Sequence, residues 1–289
     1  MPPITNTRIV RIKLIPARGK FTTDLVKTET VELDIQLNDG EILIRNLYLA
    51  LDPCFAVGWE QYSYVTNPKA SGVVIIPDPA SNPKIHPAEY LSALGSNELT
   101  AYAAAERVIK SEKGQVVYIS SAAGSVGGFF VFLAKRAGAF VIASAGSDEK
   151  AEYLLKHLGA NVALNYKTRD IGIELDAAST PRGGIDVYID LVGGETLDIV
   201  FKKIKPNDHI VAIGAISSVG TETPYGYHNF GQIVIKAINI EGFNVLQHLD
   251  LYPQLWKEIG PLIASGEFKG QKLTVLKALD NVPQNMRII

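Results

Sequence analysis

The sequence predicts an α/β fold, a doubly wound parallel sheet joined to a smaller β-rich domain. Two observations carry this. From about Leu99 onward, short apolar runs of strand length alternate with helix-period segments, the signature of repeated strand–helix–strand units. Before about residue 95 the pattern is different: period-two alternation, turn residues and scattered prolines. The chain of 289 residues suits two domains. We divide it into a β domain over 1–95, a doubly wound domain over 96–245 and a return to the β domain over 246–289.

The N-terminal part is read as strands at Arg8–Ile15, Val31–Leu37, Glu41–Leu51 and Trp59–Val65. Asn38-Asp39-Gly40 supplies a turn signal between the second and third. Pro77 to Pro87 reads as loop. In the second part, Thr100–Lys110 is rich in alanine and predicts a helix. Strands are predicted at Gln115–Ser120, Phe140–Ser144, Val162–Leu164, Ile185–Asp190, Ile210–Ile213 and Ile238–Phe243. Helices are predicted at Gly127–Ala137, Ser147–Leu158 with Ser147 as N-cap, Glu195–Lys203 and Leu251–Ser265. The tail from Lys272 reads as a strand and a fragment of helix.

Composition removes several function classes. The net charge of −2 comes from interspersed charges of both signs, without the clustered basic face that a phosphate backbone requires. The single cysteine, Cys54, allows no internal disulfide and no cysteine-rich zinc site. The five histidines form no metal-binding pair. No G-x-S-x-G elbow is present. The apolar runs are too short for a membrane span, and the N-terminus lacks a signal-type run. The chain therefore reads as soluble and cytosolic.

The chemistry points to Val116–Gly128. An apolar strand feeds the small-residue turn Ser120–Gly124 and then a helix. Gly124 lets backbone approach a pyrophosphate, Gly127 lets the helix pack closely on the strand, and the helix start supplies free N–H groups. The first glycine of G-x-G-x-x-G is absent. NAD-binding domains of the Rossmann type place an acidic residue at the end of the second strand. Here that strand ends Ala143-Ser144-Ala145-Gly146-Ser147, followed by Lys150. A lysine without a carboxylate suits a 2′-phosphate and favours NADP over NAD. Tyr166 and Lys167 follow the third strand and could close the same pocket.

In order along the chain, Leu99–Tyr102, Ala122–Gly127, Ser144–Lys150, Leu164–Lys167, Leu191–Gly194, Ile213–Ser217, His228-Asn229 and Glu241–Phe243 resemble successive signatures of one family. Asn46–Pro53 and Trp59–Ser63 resemble its N-terminal strands. It is the zinc-independent medium-chain dehydrogenase/reductase family of leukotriene B4 12-hydroxydehydrogenase, prostaglandin reductase and the alkenal double-bond reductases. The resemblance implies a GroES-like β domain interrupted by a Rossmann domain, and NADPH without a metal. It implies reduction of carbon–carbon double bonds conjugated to a carbonyl, as in enones and enals. Hydride would reach the β-carbon, donors would hold the enolate, and a proton would reach the α-carbon.

By the same resemblance, Gly124, Ser125, Val126 and Gly127 would hold the pyrophosphate. Ser147, Lys150 and Tyr166 would surround the 2′-phosphate. Ile213, Gly214, Ala215, Ile216 and Ser217, with Phe243 and Val245, would line the nicotinamide half. A homodimer through the sheet edge at Ile238–Val245 is also implied.

The chain departs from the family pattern in specific places. Between Cys54 and Trp59 only Phe55–Gly58 stand where the family has several strands. Val219 occupies the position of the enolate-stabilising tyrosine, and Leu191 that of a cofactor-contacting asparagine. The chain stops at Ile289, before the family's last strand. Tyr225 and Tyr227, unusual in the Pro224–Asn229 loop, are the expected replacement donors. The alternative is an NADP-binding protein of this descent in which hydride transfer is weakened or lost.

Overall fold

The computed structural model describes residues 4–11, 26–34, 36–49, 58–60, 62–66, 74–78, 82–218, 223 and 225–268. Val219, the stretch around Cys54 and the tail from Lys272 lie outside the described residues. The chain divides into two compact units, residues 1–91 with 274–289, and residues 92–273.

In the first unit, β1 (Ile4–Arg11) runs antiparallel to β2 (Val26–Leu33) and to β4 (Gly58–Glu60), giving the order β2-β1-β4. Arg8 and Glu29 face each other across β1 and β2, and their side chains pair at 2.8 Å. β3 (Ile42–Arg45) pairs with β5 (Tyr62–Val65), Ile42 opposite Val65. The turn at Asn38–Gly40 forms, with Gly40 at φ +85° and Glu41 N–H donating to Asn38 O at 3.1 Å. It does not close a hairpin, because β2 and β3 belong to different sheets. β2 begins and ends earlier than the strand expected at Val31–Leu37, and the strand expected at Glu41–Leu51 is seen over Ile42–Arg45, since each pairs with a partner distant in sequence rather than with the other.

The second unit is built on six parallel strands: β6 (Val116–Ile119), β7 (Phe140–Ala145), β8 (Val162–Asn165), β9 (Ile185–Asp190), β10 (Ile204–Ala212) and β11 (Asn239–Gly242). Their spatial order is β11-β10-β9-β6-β7-β8. Chain order therefore reverses between β6 and β9, the switch point at which such sheets open a crevice beyond their carboxyl ends. The central strands are buried on both faces, which is why they read as continuous apolar runs. Tyr118 and Tyr188 sit side by side on β6 and β9, ring centroids 4.9 Å apart and nearly parallel. Ile142, Leu164, Leu175, Val200, Phe201 and Ile210 complete the core around them.

Helices cover the sheet. α1 (Ser96–Ala104) starts four residues before its expected start at Thr100 and ends in a π-turn over Ala105–Ile109, where Lys110 N–H reaches back to Ala105 O at 3.0 Å. α2 (Ser125–Arg136) follows β6. α3 (Asp148–Lys156) is capped by Ser147, whose hydroxyl accepts from Lys150 N–H at 3.2 Å. α4 (Ile171–Ser179) is a helix that periodicity did not expose; Asp170 caps it by accepting from Ile173 N–H at 3.0 Å. α5 (Gly194–Lys203) precedes β10, and the short α6 (Gln232–Lys236) precedes β11.

The expected return segment begins inside this unit. α7 (Tyr252–Ser265) packs on α1, with Tyr102 Oη donating to Glu258 Oε2 at 2.8 Å and Trp256 Nε1 donating to Leu94 O at 3.1 Å. Phe268 beyond it rests on Phe129 and Phe132 of α2, with centroids 4.9 and 4.7 Å away.

Candidate functional site at the carboxyl end of the parallel sheet

The turn after β6 is shaped by close backbone contact. A Cβ on Gly127 would lie 2.5 Å from Ser121 O and 2.7 Å from Ala122 Cα, so no other residue fits there without displacing backbone. The helix start is thereby pressed onto the turn. Ser125, Val126 and Gly127 are the first residues of α2, and their N–H groups have no acceptor within the helix. Two glycines in the first helical turn leave these groups open to an anion.

The next two strands end beside this turn. β7 ends at Ala145 with no acidic residue, and Ala122 N–H ties the turn to it by donating to Ser144 O at 2.9 Å. Ser147 and Lys150 open α3. Tyr166 follows β8, and a Cβ on Gly146 would sit 2.9 Å from its hydroxyl, so the ring lies directly over that glycine. The structure thus brings Ser147, Tyr166 and Lys167 to one strand end, with Lys150 in the first turn of α3.

On the other side of the switch point, Asp190 organises the loops. Its backbone oxygen accepts from Ile213 N–H at 2.8 Å and Gly214 N–H at 3.1 Å. Its Oδ1 accepts from Gly193 N–H and Tyr188 Oη, both at 2.7 Å, and from Val192 N–H at 2.9 Å. Burial pushes the Asp190 carboxyl above the ordinary aspartate range, while these hydrogen bonds pull the other way. Ser217 seals the two loops, its hydroxyl donating to Val192 O at 2.6 Å and its N–H to the same oxygen at 3.1 Å. Ile213–Ser217 therefore stand against Leu191–Gly194, with Ile216 half exposed. Phe243 continues β11, its N–H donating to Ala212 O at 3.0 Å, and its ring stacks on His248 at 4.7 Å; Val245 follows two residues later.

Tyr225 and Tyr227 are both partly exposed, with ring centroids 5.5 Å apart. The Tyr225 hydroxyl is 3.5 Å from Asp198 Oδ2. Desolvation first, then the carboxylates of Asp198 and Glu195, push its ionisation upward, so it stays protonated at neutral pH. Tyr227 leans on Phe201, centroids 5.9 Å apart. Asp198 itself is 3% exposed and accepts from His228 N–H at 3.0 Å, Asn229 N–H at 2.8 Å and Asn229 Nδ2 at 2.9 Å. Sequence reasoning missed Asp190 and Asp198. Helical spacing offers one signal for Asp198, which shares the buried face of Gly194 and Phe201.

A family model described as zinc-binding dehydrogenase matches residues 125–264. (+)-Pulegone reductase of Mentha piperita is 32% identical over 91% of this chain and 89% of its own length. The chain belongs to the zinc-independent medium-chain dehydrogenase/reductases, the family that holds the alkenal double-bond reductases. This medium-chain reductase is also 35% identical to a zinc-type alcohol dehydrogenase-like protein of Schizosaccharomyces pombe, over 81% of this chain, and spans 65% of that relative's length. Among solved structures, CurA from Vibrio vulnificus in complex with NADPH shares its fold, with a TM-score of 0.79 at 22% identity over 97% of this chain and 94% of that one.

Two outcomes are expected of the buried carboxylates in this reductase. The raised Asp190 pKa means that the unfolded chain releases this proton first as pH rises, so ionisation of Asp190 lowers stability across that window. Asp190→Asn does not titrate, so the difference between variant and wild-type unfolding midpoints should move in the variant's favour as pH rises above about 4, the ordinary aspartate range of the unfolded chain. A difference that stays flat contradicts it. Asp198→Ala strands two partly buried N–H groups and should lower stability by about 1 kcal/mol. Limited proteolysis should then open the Tyr225–Asn229 segment faster than in wild type.

Proposed function

We propose that this chain is an NADP(H)-dependent reductase of carbon–carbon double bonds conjugated to a carbonyl. The observation that carries the cofactor is the end of β7. It offers a bare Ala145-Gly146 where an NAD-preferring site needs a carboxylate, with Lys150 and Tyr166 beside it. Gly124–Gly127 are suited to the pyrophosphate, Ser147, Lys150 and Tyr166 to the 2′-phosphate. Ile213–Ser217, Phe243 and Val245 are suited to the nicotinamide half. That CurA was crystallised with NADPH supports the same reading.

The bound dinucleotide would supply a hydride for the β-carbon. The protein's part is to hold the negative charge that develops on the carbonyl oxygen, which needs a donor aimed there. Tyr225 and Tyr227 are our candidates. The Tyr225 phenol carries its proton at neutral pH as an ordinary tyrosine does, and its surroundings push its ionisation further up. A second reading keeps the cofactor and loses the reaction. It is favoured by the same hydroxyl lying 3.5 Å from Asp198, where it is partly engaged already. Among the described residues no helix is long and apolar enough to cross a membrane. We place the protein in the cytoplasm, which suits a chain with a single cysteine.

We also propose a homodimer. β11 is the sheet edge, its residues are exposed, and Phe230, Val234 and Ile235 beside it are exposed as well. A bare parallel edge flanked by apolar side chains invites a second copy.

Calorimetric titration should give micromolar NADPH binding and NADH binding weaker by at least about tenfold, about 1.4 kcal/mol. Equal affinities would remove the 2′-phosphate assignment. With an enone panel, NADPH consumption should fall in Tyr225→Phe or Tyr227→Phe by about 10². Absence of turnover with every enone and enal, alongside tight NADPH binding, selects the second reading. In sedimentation, wild type should run as a dimer and Ile240→Lys as a monomer; an unchanged dimer would place the interface elsewhere.

A further inference from the structure

β8 ends in a buried amide. Asn165 is 5% exposed, and its side chain is used at both ends. Nδ2 donates to Asp148 Oδ1 at 2.8 Å, and Oδ1 accepts from Lys167 N–H at 3.1 Å. Its backbone oxygen accepts from Thr168 N–H at 3.3 Å and Arg169 N–H at 3.1 Å. Asp148 is the first residue of α3, between the cap Ser147 and Lys150. Lys167 directly follows Tyr166. One side chain therefore fastens the start of α3 to the turn after β8.

The two fastened segments meet at Gly146. A Cβ there would lie 2.9 Å from Tyr166 Oη and 3.3 Å from Lys167 Cε, so tyrosine and lysine are already folded over the end of β7. Lys150 stands in the first turn of α3, its N–H donating to Ser147 Oγ at 3.2 Å. An ammonium group and a phenol gathered about a strand end without a carboxylate match a phosphate monoester dianion. They offer nothing particular to a ribose hydroxyl. The spacing of these groups depends on the two segments keeping register. Among carboxylate and amide side chains of this length, only the amide both donates to Asp148 and accepts from Lys167. A carboxylate at this place would face Asp148 with like charge.

We infer that Asn165 is a positioning residue that sets the preference for a 2′-phosphorylated dinucleotide, by holding the two walls of the phosphate pocket in register. The inference rests on the NADP(H) reading above. It makes Asn165, which touches no phosphate in this account, a determinant of NADPH over NADH.

The test is calorimetric titration of the full chain with NADPH and with NADH, for wild type, Asn165→Asp, Asp148→Asn and the double variant. Asn165→Asp should weaken NADPH binding about tenfold, equivalent to about 1.4 kcal/mol, and NADH binding less than about twofold. The double variant exchanges donor and acceptor: the new amide at 148 donates to the new carboxylate at 165, which still accepts from Lys167 N–H. It should restore NADPH affinity to within about threefold of wild type, the non-additivity expected of a direct contact. Retained NADH binding reports an intact fold. Should Asn165→Asp not fold, Asn165→Ala, which adds no charge, must show the same selective loss. Loss of both nucleotides alike, an unchanged NADPH to NADH ratio, or a double variant no better than Asn165→Asp would each overturn the inference. A wild type that binds both nucleotides equally would instead overturn the cofactor reading, and this inference with it.

Discussion

The carboxyl end of the sheet is held by Asp190. Three strands finish together there, and parallel strands leave their terminal peptide groups without partners unless the loops supply them. Asp190 supplies them from one residue. Its backbone oxygen takes the first N–H groups of the loop after β10, and its carboxylate takes those of its own loop. The Tyr188 hydroxyl joins the same oxygen, and Ser120 of the strand next door donates to Ile189 O and accepts from Leu191 N–H at 3.0 Å. Burying a carboxylate here is costly, and the fold offsets that cost with N–H donors fixed by loop geometry. The loops on which the nicotinamide half would rest are consequently set by the core, independent of any ligand.

The phosphate half follows a different logic. It is made of close backbone approaches, Gly127 on Ser121 and Gly146 under Tyr166, with polar side chains added around them. In the function proposed above, its specificity would lie in what is missing from the end of β7 as much as in Lys150. The two halves lie on opposite sides of the switch point, so one extended dinucleotide spanning β8 to β11 would be read by unrelated devices at its ends. Ser120, the first residue of the turn after β6, links the two halves, its hydroxyl accepting from Leu191 N–H at 3.0 Å and from Tyr188 Oη at 3.1 Å.

Much of this was legible in the sequence because buried parallel strands announce themselves. Ile185–Asp190 has the same bounds in sequence and structure, and the Ser147 cap was readable from residue type followed by a helical pattern. α4 was not readable: Ile171, Gly172 and Ile173 are weak helix formers, and its stability comes from the Asp170 cap and packing against α5. The early start of α1 and its π-turn end are set by α2 and α7, which local propensity does not see. In the first unit the turn at Asn38–Gly40 was legible and the pairing of its flanking strands was not, since β partners are chosen by long-range contacts. Asn165, Asp190 and Asp198 escaped for a common reason. Each is a single polar residue whose partners lie in another loop or at the next turn; periodicity carries no trace of Asn165 and Asp190, and for Asp198 only its place on the buried face of α5.

Leu191 shows how a family departure can be local. The residue before Val192-Gly193-Gly194 contributes its backbone to the frame: its N–H donates to Ser120 Oγ and its oxygen accepts from Ile216 N–H at 3.5 Å. Neither bond depends on the side chain, so leucine leaves the loops where Asp190 and Ser217 put them and removes only what a polar side chain would offer a ligand. The donor question is therefore concentrated on the Tyr225–Asn229 loop. There Asp198 serves as anchor through three N–H groups and as a weaker acceptor for Tyr225 at 3.5 Å. The N–H bonds are short, at 2.8 to 3.0 Å, whereas the phenol bond is long. A carbonyl oxygen gaining negative charge competes with the Asp198 carboxylate for this donor, because a bond of 3.5 Å is already weak. Asp198 can release the Tyr225 hydroxyl and keep the loop, and this separates the anchor from the chemistry within one carboxylate.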